Sequence, residues 1–192
     1  RAHDERASQA ASVEQLTPDQ RARYHELTTE HGLPENDALM LATRAALDDL
    51  YTAAVAEGAG STSAANWVLN DLAGHVGQEG FGLTGKGLAG LIGLVDGGTI
   101  TTRVAKELLP DLLEGADPVA LVKERGLERL DDEQAVREQV AAVVAAHPDE
   151  LAAYRGGKVG LRGFFVGQVM RATGGRADPK LVQTLVEQAL EA

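Results

Sequence analysis

Basic residues and glycines are concentrated near the C-terminal end of this 192-residue chain. Between positions 155 and 180 there are six Lys and Arg side chains but only one acidic side chain, Asp178. Lysine and arginine neutralise phosphate groups, so this composition predicts contact with the backbone of a nucleic acid. The six candidate phosphate contacts are Arg155, Lys158, Arg162, Arg171, Arg176 and Lys180.

Three glycines in the same segment, Gly160, Gly163 and Gly167, are three and four residues apart, which places them on one stripe of a helix. Glycine inside a helix costs about 1 kcal/mol relative to alanine, so three of them need a reason. One reason is close packing of a neighbouring helix. The other is close approach of the helix backbone to a phosphate chain. The sequence leaves both explanations open.

The remaining residues contain no pattern that indicates an enzyme. The chain has no cysteine, which excludes disulfides, thiolate metal sites and thiol nucleophiles. Its five histidines do not fall at the spacings of zinc ligands. Gly85-Lys86-Gly87 lacks the surrounding frame of a phosphate-binding loop, and Gly80, Gly82 and Gly85 are predicted to mark a flexible connector. The sequence therefore predicts no catalytic residue and no metal site.

Helical patterns run through the whole chain, and no segment alternates as a strand does. A capping residue followed by proline predicts helix starts at Thr17-Pro18, Asp117-Pro118 and Asp178-Pro179. Residues 37–57 read as one helix, and Pro110 is expected to kink or end the helix that contains it. The predicted fold class is all-α.

A helix stop at Gly126, a charge cluster and the restart at Asp131-Asp132 predict a domain boundary. We therefore predict two small helical domains, residues 1–123 and 124–192, and residues 1–16 of the first domain are left unplaced. The first 146 residues hold 24 acidic and 12 basic side chains, and the formal net charge of the chain is -11. Outside the basic segment, this charge disfavours nucleic-acid binding.

The N-terminal stretch is charged and is not expected to be a signal peptide. No apolar run approaches the roughly 20 residues that span a bilayer, so no membrane partner is expected. The absence of cysteine fits a cytoplasmic location, and the start at Arg1 suggests a piece of a longer protein.

Three blocks resemble one known family in the right order. Residues 163–179 closely resemble the C-terminal signature of the B subunit of glutamyl/aspartyl-tRNA amidotransferases (GatB), a tail related to the free-standing YqeY-like proteins. Ala64-Ala65-Asn66-Trp67 is similar to a helix of that family. Residues 96–107 resemble its Asp-Gly-Thr-Ile-Ser…Ala-Lys-Glu block.

The resemblance implies a helical domain followed by a YqeY-like tail domain. In this family a catalytic cradle, which binds ATP and magnesium, precedes this region, so no cofactor and no catalytic activity are expected in this chain alone. The implied enzyme is a ligase that uses glutamine and ATP to amidate Glu-tRNA(Gln) and Asp-tRNA(Asn). Its implied partners are tRNA(Gln), tRNA(Asn) and the A and C subunits.

Within that enzyme, the expected task of this chain is to grip the tRNA body through the six basic residues. Positioning of this kind contributes to rate without chemistry. The alternative is a docking module for the other subunits, which apolar exposure along residues 39–55 would favour. A third hypothesis, an independent small enzyme, has no supporting residues.

Overall fold

The computed structural model describes residues 12–192, and these residues form an all-helical protein. Within that part of the chain the only β-type pairing is an isolated bridge between Leu130 and Ala177. The prediction of an all-α fold is therefore confirmed. The helices are α1 (Pro18–Thr29), α2 (Glu35–Thr43), α3 (Ala45–Ala56), α4 (Ser61–Asn66), α5 (Gly85–Asp96), α6 (Thr102–Leu113), α7 (Pro118–Arg125), α8 (Glu133–Ala146), α9 (Pro148–Arg155), α10 (Leu161–Ala172) and α11 (Pro179–Glu191).

The helix starts follow the local capping signals. The Thr17 hydroxyl accepts a hydrogen bond from Gln20 N at 3.2 Å, and Thr17 N donates to Gln20 Oε1 at 3.0 Å, which closes a capping box. Asp178 Oδ1 accepts from Lys180 N at 3.1 Å at the start of α11. The helices that follow Asp117 and Asp178 begin at the predicted prolines.

The single helix predicted over residues 37–57 is wrong. The helix is interrupted at Arg44, whose φ of -126° and ψ of 85° are not helical. The segment therefore forms two helices, α2 and α3. Apolar periodicity continued across the break because both helices contribute buried residues, among them Leu41 and Leu47. The periodicity therefore identified the core side chains but not the bend between the helices.

Two further helices differ from simple expectation. After Asn66, α4 continues as a π-helical segment, Trp67–Leu72, in which Trp67 is buried. Asn66, directly before it, is exposed. Helix α6 continues through Pro110 to Leu113, so this proline does not end it.

Contacts within the chain define two compact units. The first comprises residues up to Gly93 together with Pro110–Pro118, and the second comprises Leu94–Leu109 and Val119–Ala192. In the sequence the first unit carries 16 acidic and 6 basic residues, and the second carries 13 and 12. The domain boundary expected near residue 123 stays a prediction. Residues 1–11, part of the unplaced segment, lie outside the described residues.

The core of the first unit contains a fully buried tyrosine. Tyr51 is fully buried in α3, and its hydroxyl lies 2.8 Å from His31 Nδ1. Burial raises the pKa of Tyr51 above its ordinary value. Gly85, predicted to lie in a flexible connector, is instead buried at the start of α5. A Cβ atom there would stand 2.4 Å from Ala53 Cβ, so glycine allows α5 to pack against α3.

In the second unit, α8, α10 and α11 enclose an apolar core that supports α10 from one side. This core includes Val136, Val140, Phe165, Val169, Val182, Leu185, Val186 and Leu190. Two backbone hydrogen bonds tie the segment after α7 to this unit: Arg129 N donates to Thr99 O at 2.7 Å, and Leu130 N donates to Arg176 O at 3.0 Å. Helix α10 thus packs against the core on one side, and its opposite side is exposed to solvent.

Candidate nucleic-acid interface

The glycine stripe of α10 faces open space. Gly160, Gly163 and Gly167 are all exposed, and a Cβ atom built on any of them would meet no atom within 4 Å. Gly160 precedes the first turn, and the other two lie within the helix. Within the described part of this chain no neighbouring helix covers the stripe, which removes close helix packing inside the chain as its explanation.

Arg171 extends this stripe to the end of the helix. It lies four residues after Gly167, so it shares the stripe, while Phe165 and Val169 are buried on the other side. At 1.5 Å per residue, the distance along the helix from Gly160 to Arg171 is about 17 Å. We call the surface formed by Gly160, Gly163, Gly167 and Arg171 the glycine face. It offers bare backbone with a cation at its C-terminal end.

Three of the six predicted cations are free to bind a ligand. Lys158, Arg171 and Lys180 are exposed, and their side chains form no hydrogen bond or ion pair with any described residue. Lys158 lies just before the glycine face in the chain, and Arg171 ends it. Lys180 lies in the first turn of α11.

The other three predicted cations already have partners. Arg162 Nη1 lies 3.3 Å from Glu187 Oε1, and Arg155 Nε donates to Leu190 O at 3.4 Å. Arg176 is half-buried, and its Nε donates to Glu128 O at 2.8 Å. These contacts link elements of the second unit to one another. For a phosphate to bind them, each would have to give up or share a bond, so their role as phosphate contacts stays a prediction.

Two apolar residues beside the glycine face were not singled out from the sequence. Val159 is 63% exposed between Lys158 and Gly160. Phe164 is half-buried on α10, and its ring stands edge-on to His147 with ring centroids 5.1 Å apart. The available signal was an apolar residue within a glycine-rich and basic run. Such side chains suit contact with the sugars and bases of a nucleic acid.

Other kinds of site have little support in residues 12–192. Among them, no group of three or more His, Asp or Glu residues could hold a metal ion. Over the same range, no helix combines the length and the apolar character that crossing a membrane requires. The absence of a cofactor from this chain stays a prediction.

The fold and the glycine face define an all-helical module whose second unit presents a basic, glycine-lined surface. The sequence profile of the GatB domain family matches residues 49–190, and the chain belongs to this family. The family resemblance noted in the sequence is therefore confirmed.

Several curated relatives carry the same name, each being the B subunit of an aspartyl/glutamyl-tRNA(Asn/Gln) amidotransferase. The protein of Synechococcus sp. (strain CC9605) is 41% identical over 194 residues, which cover 98% of this chain and 39% of the relative. The protein of Thermosynechococcus vestitus (strain NIES-2133 / IAM M-273 / BP-1) is 41% identical over 190 residues, covering 96% and 37%. The protein of Prochlorococcus marinus (strain MIT 9303) is 42% identical over 176 residues, covering 88% and 36%. The chain thus spans about two fifths of the length of the relatives it matches.

Proposed function

We propose that this chain is the tRNA-body-binding part of the B subunit in an aminoacyl-tRNA amidotransferase. It would hold the body of a misacylated tRNA(Gln) or tRNA(Asn) so that the charged 3′ end reaches the site of ATP-dependent amidation. The names of its relatives support the parent activity. The A and C subunits are the proposed protein partners. The contribution of this chain to catalysis would be positioning alone.

The observation that carries the proposal is the open glycine face with free cations along it. Gly163 and Gly167 lie inside the helix and no described neighbour covers them, so each costs about 1 kcal/mol that contact between the bare backbone and a ligand would offset. A phosphate backbone is suited to this use, because Lys158 and Arg171 would neutralise its charge. Contacts of this kind read shape and backbone rather than base sequence, as expected for the body of a folded RNA.

The charge of the two units supports the same assignment. The second unit is nearly neutral, and its free cations are concentrated around α10 and α11. The first unit has 16 acidic and 6 basic residues and should repel RNA. RNA binding is therefore proposed for the second unit only.

The docking hypothesis lacks the feature that was expected to favour it. Along residues 39–55, Leu47 and Leu50 are buried, and Leu39 and Val55 are half-buried. No large apolar side chain in this range is exposed. A docking surface is therefore not visible where the hypothesis required one, although docking stays an outcome of the test below.

The test compares two double variants with the same change in charge. Lys158→Ala with Arg171→Ala removes two free cations of the proposed interface. Arg44→Ala with Lys123→Ala removes one arginine and one lysine that are exposed, have no partner among the described residues and lie elsewhere. The affinity of each variant for tRNA is measured from about 50 to 200 mM salt.

We expect a log–log salt slope of about -2 to -4 for the unaltered chain, as three or four phosphate contacts require. The interface variant should lose about 1.4 to 1.8 of that slope, and the control variant should keep it. Equal losses in both variants would show that net charge alone matters. Absence of tRNA binding at low salt would remove the proposal and favour docking.

A further inference from the structure

The second unit contains a cavity of about 520 Å³ that the proposed phosphate contacts do not use. Its apolar walls are Val95, Ile100, Met170 and Pro179. Its polar lining comes from Thr102, Arg103, Arg129 and Asp178, among other residues. The cavity thus joins two of the blocks that mark the family in the sequence, residues 96–107 and 163–179. Its volume lies within the range of small-molecule sites.

Two polar side chains of the cavity have unused hydrogen-bonding capacity. Arg129 Nε is buried and lies 2.8 Å from Asp131 Oδ1, but the contact lacks hydrogen-bond geometry, so its N–H has no acceptor. Asp178 Oδ1 is occupied by the cap of α11, whereas Oδ2 lies 3.7 Å from Arg129 Nη2, beyond hydrogen-bond distance. Asp178 Oδ2 is therefore available as an acceptor beside the Arg129 guanidinium.

The charges of the cavity favour an uncharged ligand. Arg129 is balanced by Asp131 and Asp178, and Arg103 Nε lies 3.3 Å from Glu107 Oε1. A free phosphate would meet the carboxylate of Asp178. A nucleobase fits better, because its flat faces are apolar and its edge carries donors and acceptors side by side.

The cavity adjoins the proposed phosphate contacts along the chain. Met170 is followed directly by the free cation Arg171, and Pro179 by the free cation Lys180. The cavity wall and each of these cations are therefore carried by adjacent residues of the same helix, whose Cα atoms are about 3.8 Å apart. An RNA chain at these cations can keep its charge outside and direct one base inward.

We propose that the cavity receives the base of an unpaired nucleotide of the RNA that binds the glycine face. This inference rests on the proposed function. An unpaired nucleotide is the suitable ligand, because extruding a base costs least when it has no pairing partner. The Watson–Crick edge of the base would reach Arg129 and Asp178, and its faces would pack on Met170 and Pro179.

The first variant fills the cavity without changing its charge. Thr102 is exposed in the first turn of α6 and lines the cavity, so Thr102→Trp should occupy it. Thr62→Trp, an exposed position in the first turn of α4, is the matched control. Asp178→Asn is a second variant, since asparagine caps a helix about as well as aspartate and should leave the fold intact. Each variant is tested with tRNA, with a fully paired, blunt RNA duplex, and with GMP and AMP.

Thr102→Trp should weaken tRNA binding by about tenfold to a hundredfold, the factor that corresponds to one well-packed base. Its affinity for the duplex and its salt slope should stay unchanged, because the phosphate contacts remain. Asp178→Asn should weaken tRNA binding in the same direction, and Thr62→Trp should change neither affinity.

Equal tRNA affinity of Thr102→Trp and Thr62→Trp would overturn the proposal, and so would equal loss on tRNA and duplex. Loss of GMP or AMP binding in Thr102→Trp, with tRNA binding intact, would also overturn it, because the cavity would then serve free nucleotides. In each of these cases Lys158→Ala with Arg171→Ala would still weaken tRNA binding, so the proposed function would stand. Failure of the proposed function instead appears as no tRNA binding by the unaltered chain, which removes this inference as well.

Discussion

Replacing two glycines of α10 by alanine should make the protein more stable and a poorer RNA binder at the same time. Gly163 and Gly167 lie inside the helix, neither has a positive φ, and a Cβ at either position meets nothing within 4 Å. The alanines therefore gain the full helix preference of about 1 kcal/mol each, or about 2 kcal/mol together. The proposed RNA contact loses its close approach to the backbone.

Stability is measured by urea denaturation. With an m-value of about 2 kcal/mol/M, a gain of about 2 kcal/mol raises the unfolding midpoint by about 1 M. Affinity for tRNA, measured at fixed salt, should fall by about threefold to tenfold, the equivalent of roughly one hydrogen bond. Opposite signs in the two measurements exclude misfolding as the cause of the affinity loss.

Gly85→Ala is the matched control, because it makes the same substitution in another helix. Its Cβ would stand 2.4 Å from Ala53 Cβ and 2.6 Å from the Ala53 carbonyl carbon, so the helices must separate. Overpacking of this kind costs about 1–3 kcal/mol. A lower unfolding midpoint for Gly163→Ala with Gly167→Ala would show that a neighbour covers these glycines. A higher midpoint with unchanged tRNA affinity would show that RNA does not bind at them.

Three other properties can be checked directly. Thr101→Val should lower stability by about 1–2 kcal/mol in urea, because the hydroxyl caps α6 and donates to Gly175 O at 3.0 Å; an unchanged midpoint would contradict both bonds. Burial raises the pKa of Tyr51 in the folded state, so the free energy of unfolding should fall as pH rises above about 10. Urea titrations at several pH values measure this dependence, which Tyr51→Phe should reduce. A glutamate-specific protease should cleave at Glu79 earlier than at Glu128, because Glu79 lies in an exposed turn and the carbonyl of Glu128 is hydrogen-bonded. The early fragments are identified by mass spectrometry, and the reverse order of cleavage would contradict this prediction.

The sequence by itself determined the features that depend on near neighbours in the chain. The capping bonds at Thr17 and Asp178 join residues two or three positions apart, so the residue types alone predicted them. The all-α class followed from the same local preferences, and the family followed from short blocks of residues. The six cations and three glycines of the candidate interface were likewise recognisable from composition and spacing.

Tertiary structure decided which of those residues are available to a ligand. Periodicity showed that Gly160, Gly163 and Gly167 share a stripe, but only the folded chain showed that no described neighbour covers it. The bond from Arg176 to Glu128 O spans 48 positions, and that from Thr101 to Gly175 O spans 74. A local pattern carries no information on contacts at such separations, because packing of the whole unit brings these partners together. For the same reason the cavity beside Met170 could not be foreseen, since its walls come from segments that are far apart in the chain.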